Sequence, residues 1–377
     1  MPGIRHLDGL SVRGFKALAD VELHPLGAFN VFLGANDVGK TSVLEAVFLL
    51  TGISNLQLPI SVQNHRKYLV QSFDDLSYFF HDLNVDAPIE LVGQVDGGET
   101  RRLSITAPSA YAGVASAVQR IADKGDSIGS KNTGGQSATP RPTSSSSFGA
   151  RVLHYEATIT TPGRKKKAKF AGQLKVGSSD DVEITVPSPK HQQWIVPAVI
   201  FHPGADYTGR AIADVLVHKM EAELLEMLRH INRRIRRIAM RGDVAYLDVG
   251  LEQMVPLNMF GSGMVRAAQV LSHCLLGRSR VLLIDEIENG LHHEGMVPFL
   301  KGLLTVAVRR NVQVFATAHS LELLKGLQQV LGLDECDDVR SDSMCYVLAR
   351  NKDDAVVAYG YDFPKFDHCL ERGIEIR

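Results

Sequence analysis

No apolar run in this chain reaches the roughly 18–20 residues that a membrane helix needs. The N-terminus lacks the basic stretch and apolar core of a signal peptide. Cysteine is scarce, and Cys274, Cys336, Cys345 and Cys369 form neither a C-x-x-C pair nor a finger spacing. They read as reduced structural thiols, so a cytoplasmic protein without a membrane partner is expected. Net charge is nearly absent too: 41 basic against 42 acidic residues leave −1 at pH 7. No global field therefore draws the chain to nucleic acid or anionic lipid. Any such contact must be a local patch, or must form only in an assembly. The rest is ordinary: 45% hydrophobic and 22% charged residues in a chain of 377, enough for one large domain or two modest ones.

Against that background, Gly34-Ala35-Asn36-Asp37-Val38-Gly39-Lys40-Thr41 is a complete phosphate-binding loop. The run Phe29 to Leu33 reads as a buried strand before it, and Ser42 to Leu50 as a helix after it. A glycine-rich turn with a chance lysine would need neither flank. The glycines let backbone N–H groups close on a β-phosphate, and the helix start adds positive dipole. Asn36, Gly39, Lys40, Thr41 and Ser42 are the expected ATP contacts. Lys40 reaches the β- and γ-phosphates, and the Thr41 hydroxyl is placed for Mg²⁺.

Strand-like alternation runs through Leu10 to Phe15 and Asp20 to Leu23. Asn55 to Gln63 is mixed and proline-bearing and reads as loop. Ile89 to Val95 and Arg102 to Ile105 read as a hairpin across Asp96-Gly97-Gly98. Residues 124–148 are rich in Ser, Gly, Thr and Pro with almost no large apolar side chain, the composition of a flexible insertion. Strand-like runs resume at once, Val152 to Ile159, Lys169 to Val176 and Asp181 to Val186. The cluster Arg164-Lys165-Lys166-Lys167 is a solvated hairpin tip, with a phosphate-backbone contact as the sharper alternative. Ile212 to Met240 reads as helical, with Leu224, Leu228, Ile231, Ile235 and Ile238 at spacings of four and three. Arg229, Arg233, Arg234, Arg236, Arg237 and Arg241 fall on the remaining faces, as a solvated face or a DNA- or partner-binding edge. The expected organisation is one domain over residues 1–377. An N-terminal lobe covers 1–203 and a C-terminal lobe 204–377, with a helical insertion at 209–241.

Val281-Leu282-Leu283-Ile284-Asp285-Glu286 reads as a buried parallel strand whose acids emerge at its C-terminal end, where open α/β sheets bind ligands. Asp285 would hold the Mg²⁺ shell and Glu286 would polarise the attacking water. Alone, two acids capping a strand mean little; an intact phosphate loop far upstream gives them a purpose. Val312 to Ser320 is a further strand, which would present His319 to the γ-phosphate. Phe260-Gly261-Ser262-Gly263 opens a helix, as an anion site or as a plain helix capped by Ser262. The order of loop, glycine-serine helix start, acid pair and histidine strand is that of ATP-binding-cassette (ABC) ATPases. In these, the helix start of one subunit closes on the γ-phosphate held by another.

The resemblance goes further. Leu10-Ser11-Val12-Arg13-Gly14-Phe15-Lys16 with Asn30 to Asn36 resembles the opening of the chromosome-maintenance, recombination-mediator and OLD-type (overcoming lysogenisation defect) branch of that class. Asp285 to His292 with Ala316-Thr317-Ala318-His319-Ser320 is more narrowly similar to OLD-type ATPases of bacteria and their viruses, and Gly373 to Arg377 resembles the end of stand-alone members. The resemblance implies an α/β ABC-type fold with a mixed central sheet, an antiparallel β subdomain and a helical subdomain. It implies Ser262 and Gly263 as the signature contributed in trans, Glu286 as base, His319 as switch histidine, and Arg13 and Lys16 near the nucleotide. The signature departs from the transporter-type Leu-Ser-Gly-Gly. The Mg²⁺-sensing glutamine is Gln57 or Gln63. A Toprim-type nuclease domain is expected to be missing, because only Ser320 to Arg377 follows His319. There Asp334, Glu335, Asp337 and Asp338 read as a solvated loop. His292 and His293 have no third ligand at useful spacing for a metal site.

Three functions compete. The first is an ATP-gated switch that closes as a homodimer or higher homo-oligomer and controls a separate effector such as a nuclease or toxin, with antiviral defence as its setting. The second is a repair or recombination ATPase acting directly on DNA. The third, a transporter subunit, is disfavoured by the Arg13-Gly14-Phe15-Lys16 opening and the atypical signature.

Overall fold

The computed structural model describes residues 6–66, 70, 73–107, 152–164, 167–176, 182–185, 195–203 and 209–373. The 124–148 insertion, Lys165, Lys166 and the run 374–377 lie outside them. In chain order the strands are β1 (Leu7–Phe15), β2 (Leu18–Leu23), β3 (Phe29–Leu33), β4 (Ile89–Val95), β5 (Glu99–Thr106), β6 (Val152–Thr160), β7 (Ala168–Val176), β8 (Val182–Thr185), β9 (Ala198–Phe201), β10 (Arg237–Arg241), β11 (Val244–Asp248), β12 (Val255–Pro256), β13 (Val281–Ile284), β14 (Gln313–Thr317), β15 (Ser343–Arg350) and β16 (Val356–Asp362). They form a seven-stranded antiparallel sheet ordered β2-β1-β4-β5-β6-β7-β8, a six-stranded mixed sheet ordered β16-β15-β3-β14-β13-β9, and a small β10-β11-β12 sheet.

The mixed sheet explains the apolar runs. Every residue of β3, β13 and β14 is buried, as expected of parallel strands covered on both faces. The pleat divides them. Val31, Leu282, Ile284, Val314 and Ala316 enter one core with the C-terminal helices. Phe32, Leu283 and Phe315 enter a second core, shared with the antiparallel sheet. The helix α1 (Lys40–Thr51) lies in that second core between the two sheets. It is apolar on nearly every side because every side is covered, Phe48 being one of its few half-buried residues. Gln313, fully buried on β14, ties the sheets together: its amide donates to the Leu7 and Gly27 carbonyls and accepts from the Leu7 N–H at 2.9 Å. Among the described residues no helix is long and apolar enough to cross a membrane.

Three expectations are corrected. Residues 55–63 are not all loop, because α2 (Leu58–His65) starts with Pro59 in its first turn, where its missing N–H costs no hydrogen bond. A short α3 (Phe73–Ser77) follows. The stretch from Ile212 to Met240 is not helical throughout: it is α4 (Arg210–Val217), α5 (Glu221–Ile231) and then strand β10. Ile235 and Ile238 are buried, as their spacing implied, but from a turn and a strand. Gly242, at φ 59°, closes the β10–β11 hairpin, and cross-strand pairing overrides the helical period. The acidic cluster at 334–338 is not loop but a 3₁₀ turn (Asp334–Cys336) running into a short helix. The C-terminal helices are α6 (Ser262–Leu276), α7 (His293–Arg310), α8 (Leu321–Leu331), α9 (Asp337–Ser341) and α10 (Phe363–Glu371).

Candidate functional site

The phosphate loop turns between β3 and α1 on left-handed backbone. Gly34 and Gly39 stand at φ 136° and 99°, and Asp37 at 60°. A β-carbon on Gly34 would collide with the Leu348 carbonyl of β15, and one on Gly39 would lie 2.8 Å from Leu18 Cδ2. Lys40 donates from Nζ to the carbonyls of Gly34 and Ala35, both at 2.7 Å, so its ammonium lies across the mouth of its own loop. Burial pushes the Lys40 pKa below its ordinary value, opposed by the charges of Asp285, Glu288, Asp37 and Glu286. The loop floors an open cleft of about 930 Å³, a volume that suits a nucleotide. Asn36, Gly39, Lys40, Thr41 and Ser42 line it, and Glu286 and His319 reach it from the adjoining strand ends.

The acid strand closes on the loop from 244 residues away. Thr41 Oγ1 donates to Asp285 at 3.0 Å, Thr317 Oγ1 donates to Asp285 Oδ1 at 2.7 Å, and His202 Nδ1 lies 3.4 Å from Oδ2. Burial works against ionising Asp285, but the hydrogen bonds from His202, Thr317 and Thr41 outweigh it and hold the pKa below the usual carboxylate value. Glu286 sits at φ 51°, a left-handed conformation that costs a non-glycine residue roughly 1–3 kcal/mol. Two bonds hold it there: its N–H donates to Thr317 Oγ1 at 2.7 Å, and Ile287 N–H donates to the Thr317 carbonyl at 3.0 Å. Asn289 donates to its carboxylate at 3.0 Å. Glu288 accepts from the His319 and Ser320 N–H groups, which fixes the histidine turn against the acid turn. The Thr41 hydroxyl and Asp285 carboxylate form a hard oxygen pair that suits Mg²⁺.

Lys16 lines the cleft, with Nζ 2.7 Å from Glu45 Oε2; Arg66 Nε reaches the other oxygen at 2.6 Å. Burial lowers the Lys16 pKa, and the Glu45 charge opposes that shift. Arg13 is not brought to the cleft. It is exposed and paired with Asp20 at 3.1 Å, because β1 alternates and Val12 takes the inward place. Of the two glutamines, Gln63 lines the cleft, and Gln57 stands exposed before α2. Ser262 and Gly263 open α6, but Ser262 does not cap it; Gly261 holds the cap position with no side-chain bond. Ser262 is exposed, neither residue lines the cleft, and Gly263 packs on the Gly290 carbonyl so closely that a β-carbon would collide.

Sequence reasoning missed Thr317, His202 and Arg266, whose guanidinium donates to the Asp285 carbonyl. Thr317 stands inside a run singled out for its histidine. Arg266 stands in the helix singled out for its glycine-serine start, and His202 carries no local motif.

The fold and this cleft define the class: the chain has the fold of an ABC-type P-loop ATPase. The comparisons agree. Residues 157–325 match the family described as "AAA domain, putative AbiEii toxin, Type IV TA system". An "ATP/GTP phosphatase" of Helicobacter pylori is 23% identical over 336 residues, covering 86% of this chain and 88% of that protein. The DNA replication and repair protein RecF of Nitrosococcus oceani is 49% identical over 45 residues, 12% of each chain. The Smc head domain of Pyrococcus furiosus, solved with the C-terminal domain of ScpA, superposes with a TM-score of 0.51 at 8% identity. That match covers 99% of this chain and 100% of the other, a likeness of fold.

Proposed function

We propose that this chain is an ATP-driven switch of OLD type, in which two copies close around ATP and each completes the other's site. The carrying observation is the bond from Thr41 to Asp285, which joins phosphate loop and acid strand in one cleft with Glu286 and His319 at its edge. Lys40 and the loop amides bind the β- and γ-phosphates, His319 faces the γ-phosphate, Gln63 is the Mg²⁺-sensing glutamine, and Thr41 and Asp285 would hold Mg²⁺. The metal supplies charge neutralisation on the phosphates. Glu286 takes a proton from water, the water oxygen bonds the γ-phosphorus, and the bond to the β-phosphate bridge oxygen breaks, releasing ADP and phosphate. Ser262 supports the two-copy arrangement: it is exposed at a helix start and belongs to no wall of its own cleft, so it is free to meet the γ-phosphate of another copy.

The output is control of a separate effector protein in a cytoplasmic antiviral system. The matching family's description, which names a putative toxin and a Type IV TA system, supports that setting. Direct action on DNA is the second reading, supported by the local similarity to RecF. The decisive experiment compares wild type with Glu286→Gln, measuring phosphate release and particle mass with ATP and Mg²⁺. The expected result is lost turnover and a larger, ATP-trapped assembly. Unchanged turnover removes Glu286 as base; lost turnover with a monomeric mass removes the two-copy arrangement.

A further inference from the structure

The arginine-rich stretch after α5 has no part in the nucleotide site, and its structure differs from the helix its spacing suggests. Only Arg229 belongs to α5, and it is used internally: Nε donates to the Ile235 carbonyl at 2.9 Å and Nη2 to the Arg236 carbonyl at 2.7 Å, folding the following turn onto the helix. Arg233, Arg234 and Arg236 are exposed on that turn, and Arg237 and Arg241 on β10.

Strand geometry sorts the hairpin into two faces. Ile238, Ala245 and Leu247 enter the core, and Met240 packs against it. The other face therefore carries Arg237 and Arg241. Register places Tyr246 opposite Ala239, Val244 opposite Arg241 and Asp248 opposite Arg237. Several other exposed arginines pair with an acid, Arg13 with Asp20, Arg278 with Asp214, Arg309 with Glu223 and Arg350 with Asp354, while Arg102, Arg164, Arg210 and Arg372 are exposed singly, without an ion pair among the described residues. Among the described residues, Arg233, Arg234, Arg236, Arg237 and Arg241 have no such partner. The hairpin's acids, Asp243, Asp248 and Glu252, are fewer than these arginines, and an Asp248 oxygen is occupied by the Gly250 N–H at 2.8 Å. In a chain of net charge −1, this is a concentrated basic stretch whose strand face carries Arg237 and Arg241, with Tyr246 between them and Asp248 opposite Arg237.

We propose that this hairpin face binds the phosphate backbone of duplex DNA. Guanidinium forks suit phosphate oxygens, and the strand holds them at fixed spacing. Arg237 and Arg241 are four residues apart, about 13 Å along an extended strand, close to the ~12 Å width of the B-DNA major groove. The contact reads no sequence, because backbone charge is its target. It stands apart from the nucleotide cleft and does not depend on the assignment of that cleft.

The test is fluorescence anisotropy of a labelled 30-base-pair duplex, without nucleotide, from 50 to 200 mM NaCl. Wild type is compared with the triple variant Arg234→Gln, Arg237→Gln, Arg241→Gln, with the matching triple Lys variant, and with Lys40→Met. Each phosphate contact contributes about −0.9 to the slope of log K against log salt, so removing three is expected to flatten the slope by about 2.7. The Lys triple should restore most of it, which a purely structural role for the arginines would not do. Lys40→Met should bind DNA as wild type does while losing ATP turnover, so this inference and the ATPase assignment fail separately. The Gln triple should melt with wild type, because all three side chains are exposed. No binding to duplex at 50 mM NaCl, or an unchanged slope in the Gln triple, overturns the proposal. Tighter binding to poly-glutamate than to the duplex also overturns it, in favour of an acidic protein partner.

Discussion

Thr317→Val tests whether one buried hydroxyl sets both acids of the site. The side chain is fully buried at the end of β14. Its hydroxyl donates to Asp285 Oδ1 and accepts the Glu286 N–H, both at 2.7 Å. Valine keeps the β-branch that suits the strand and removes only the polar atom. A hydrogen bond to a charged group contributes about 1.5–3 kcal/mol, and a buried N–H left without a partner costs about 1–3 kcal/mol. Partial relaxation of the Glu286 turn offsets some of this, so a loss of about 2–4 kcal/mol is expected in urea denaturation. Turnover should fall about 10–100-fold, the usual consequence of losing an outer partner of a metal or catalytic ligand. Thr317→Ser keeps the hydroxyl and should recover most of the rate.

The pH dependence gives a second handle on the same residue. Asp285 is held below the usual carboxylate pKa by hydrogen bonds that outweigh burial. Its stabilising contribution is therefore complete above the unfolded value of about 3.9 and is lost as pH falls through the lower folded value. Removing one donor raises the folded value, so the gap between wild type and Thr317→Val should be wide at pH 7 and narrow in strong acid. A valine variant that hydrolyses ATP at the wild-type rate would refute the argument, as would a stability gap that does not change with pH.

Gly39→Ala places a β-carbon 2.8 Å from Leu18 Cδ2 at φ 99°, and should weaken binding of a fluorescent ATP analogue at least about tenfold, with a stability loss of about 1–2 kcal/mol; wild-type affinity would contradict the loop geometry. Glu45→Gln removes the buried charge shared by Lys16 and Arg66 and should cost about 3 kcal/mol in urea, the low end for a broken buried pair because Arg66 is partly exposed. A thiol reagent at neutral pH should modify Cys369 in the native protein and spare Cys274, Cys336 and Cys345 until unfolding, since burial pushes Cys274 up to about 12 and Cys345 further; rapid reaction of two or more thiols contradicts that packing.

The parts of the site that were legible are those whose chemistry is local. The phosphate loop needs Gly34 and Gly39 at a fixed short spacing, with Lys40 directly after the second. The acid and histidine strands are apolar runs ending in polar groups, and burial on both faces forces that composition. The hairpin at 237–248 was misread because Ile231, Ile235 and Ile238 keep a helical spacing by coincidence; each must reach the same core, and a turn followed by a strand does that as well as a helix. Arg13 was misplaced for a related reason, since a motif states which residues are present but not which face of the strand they take.

The phosphate-loop pattern and the acid pair at a strand end are legible in the sequence alone, because these depend on residue types at fixed short spacings. The tertiary structure decided what surrounds them. His202, Thr317 and Arg266 meet Asp285 from three separate elements, Glu45 joins Lys16 to Arg66, and Gln63 faces the cleft where Gln57 does not. Those partnerships are made across sheet registers and helix packing, and hydrogen bonds between groups so far apart along the chain leave no periodic trace in it.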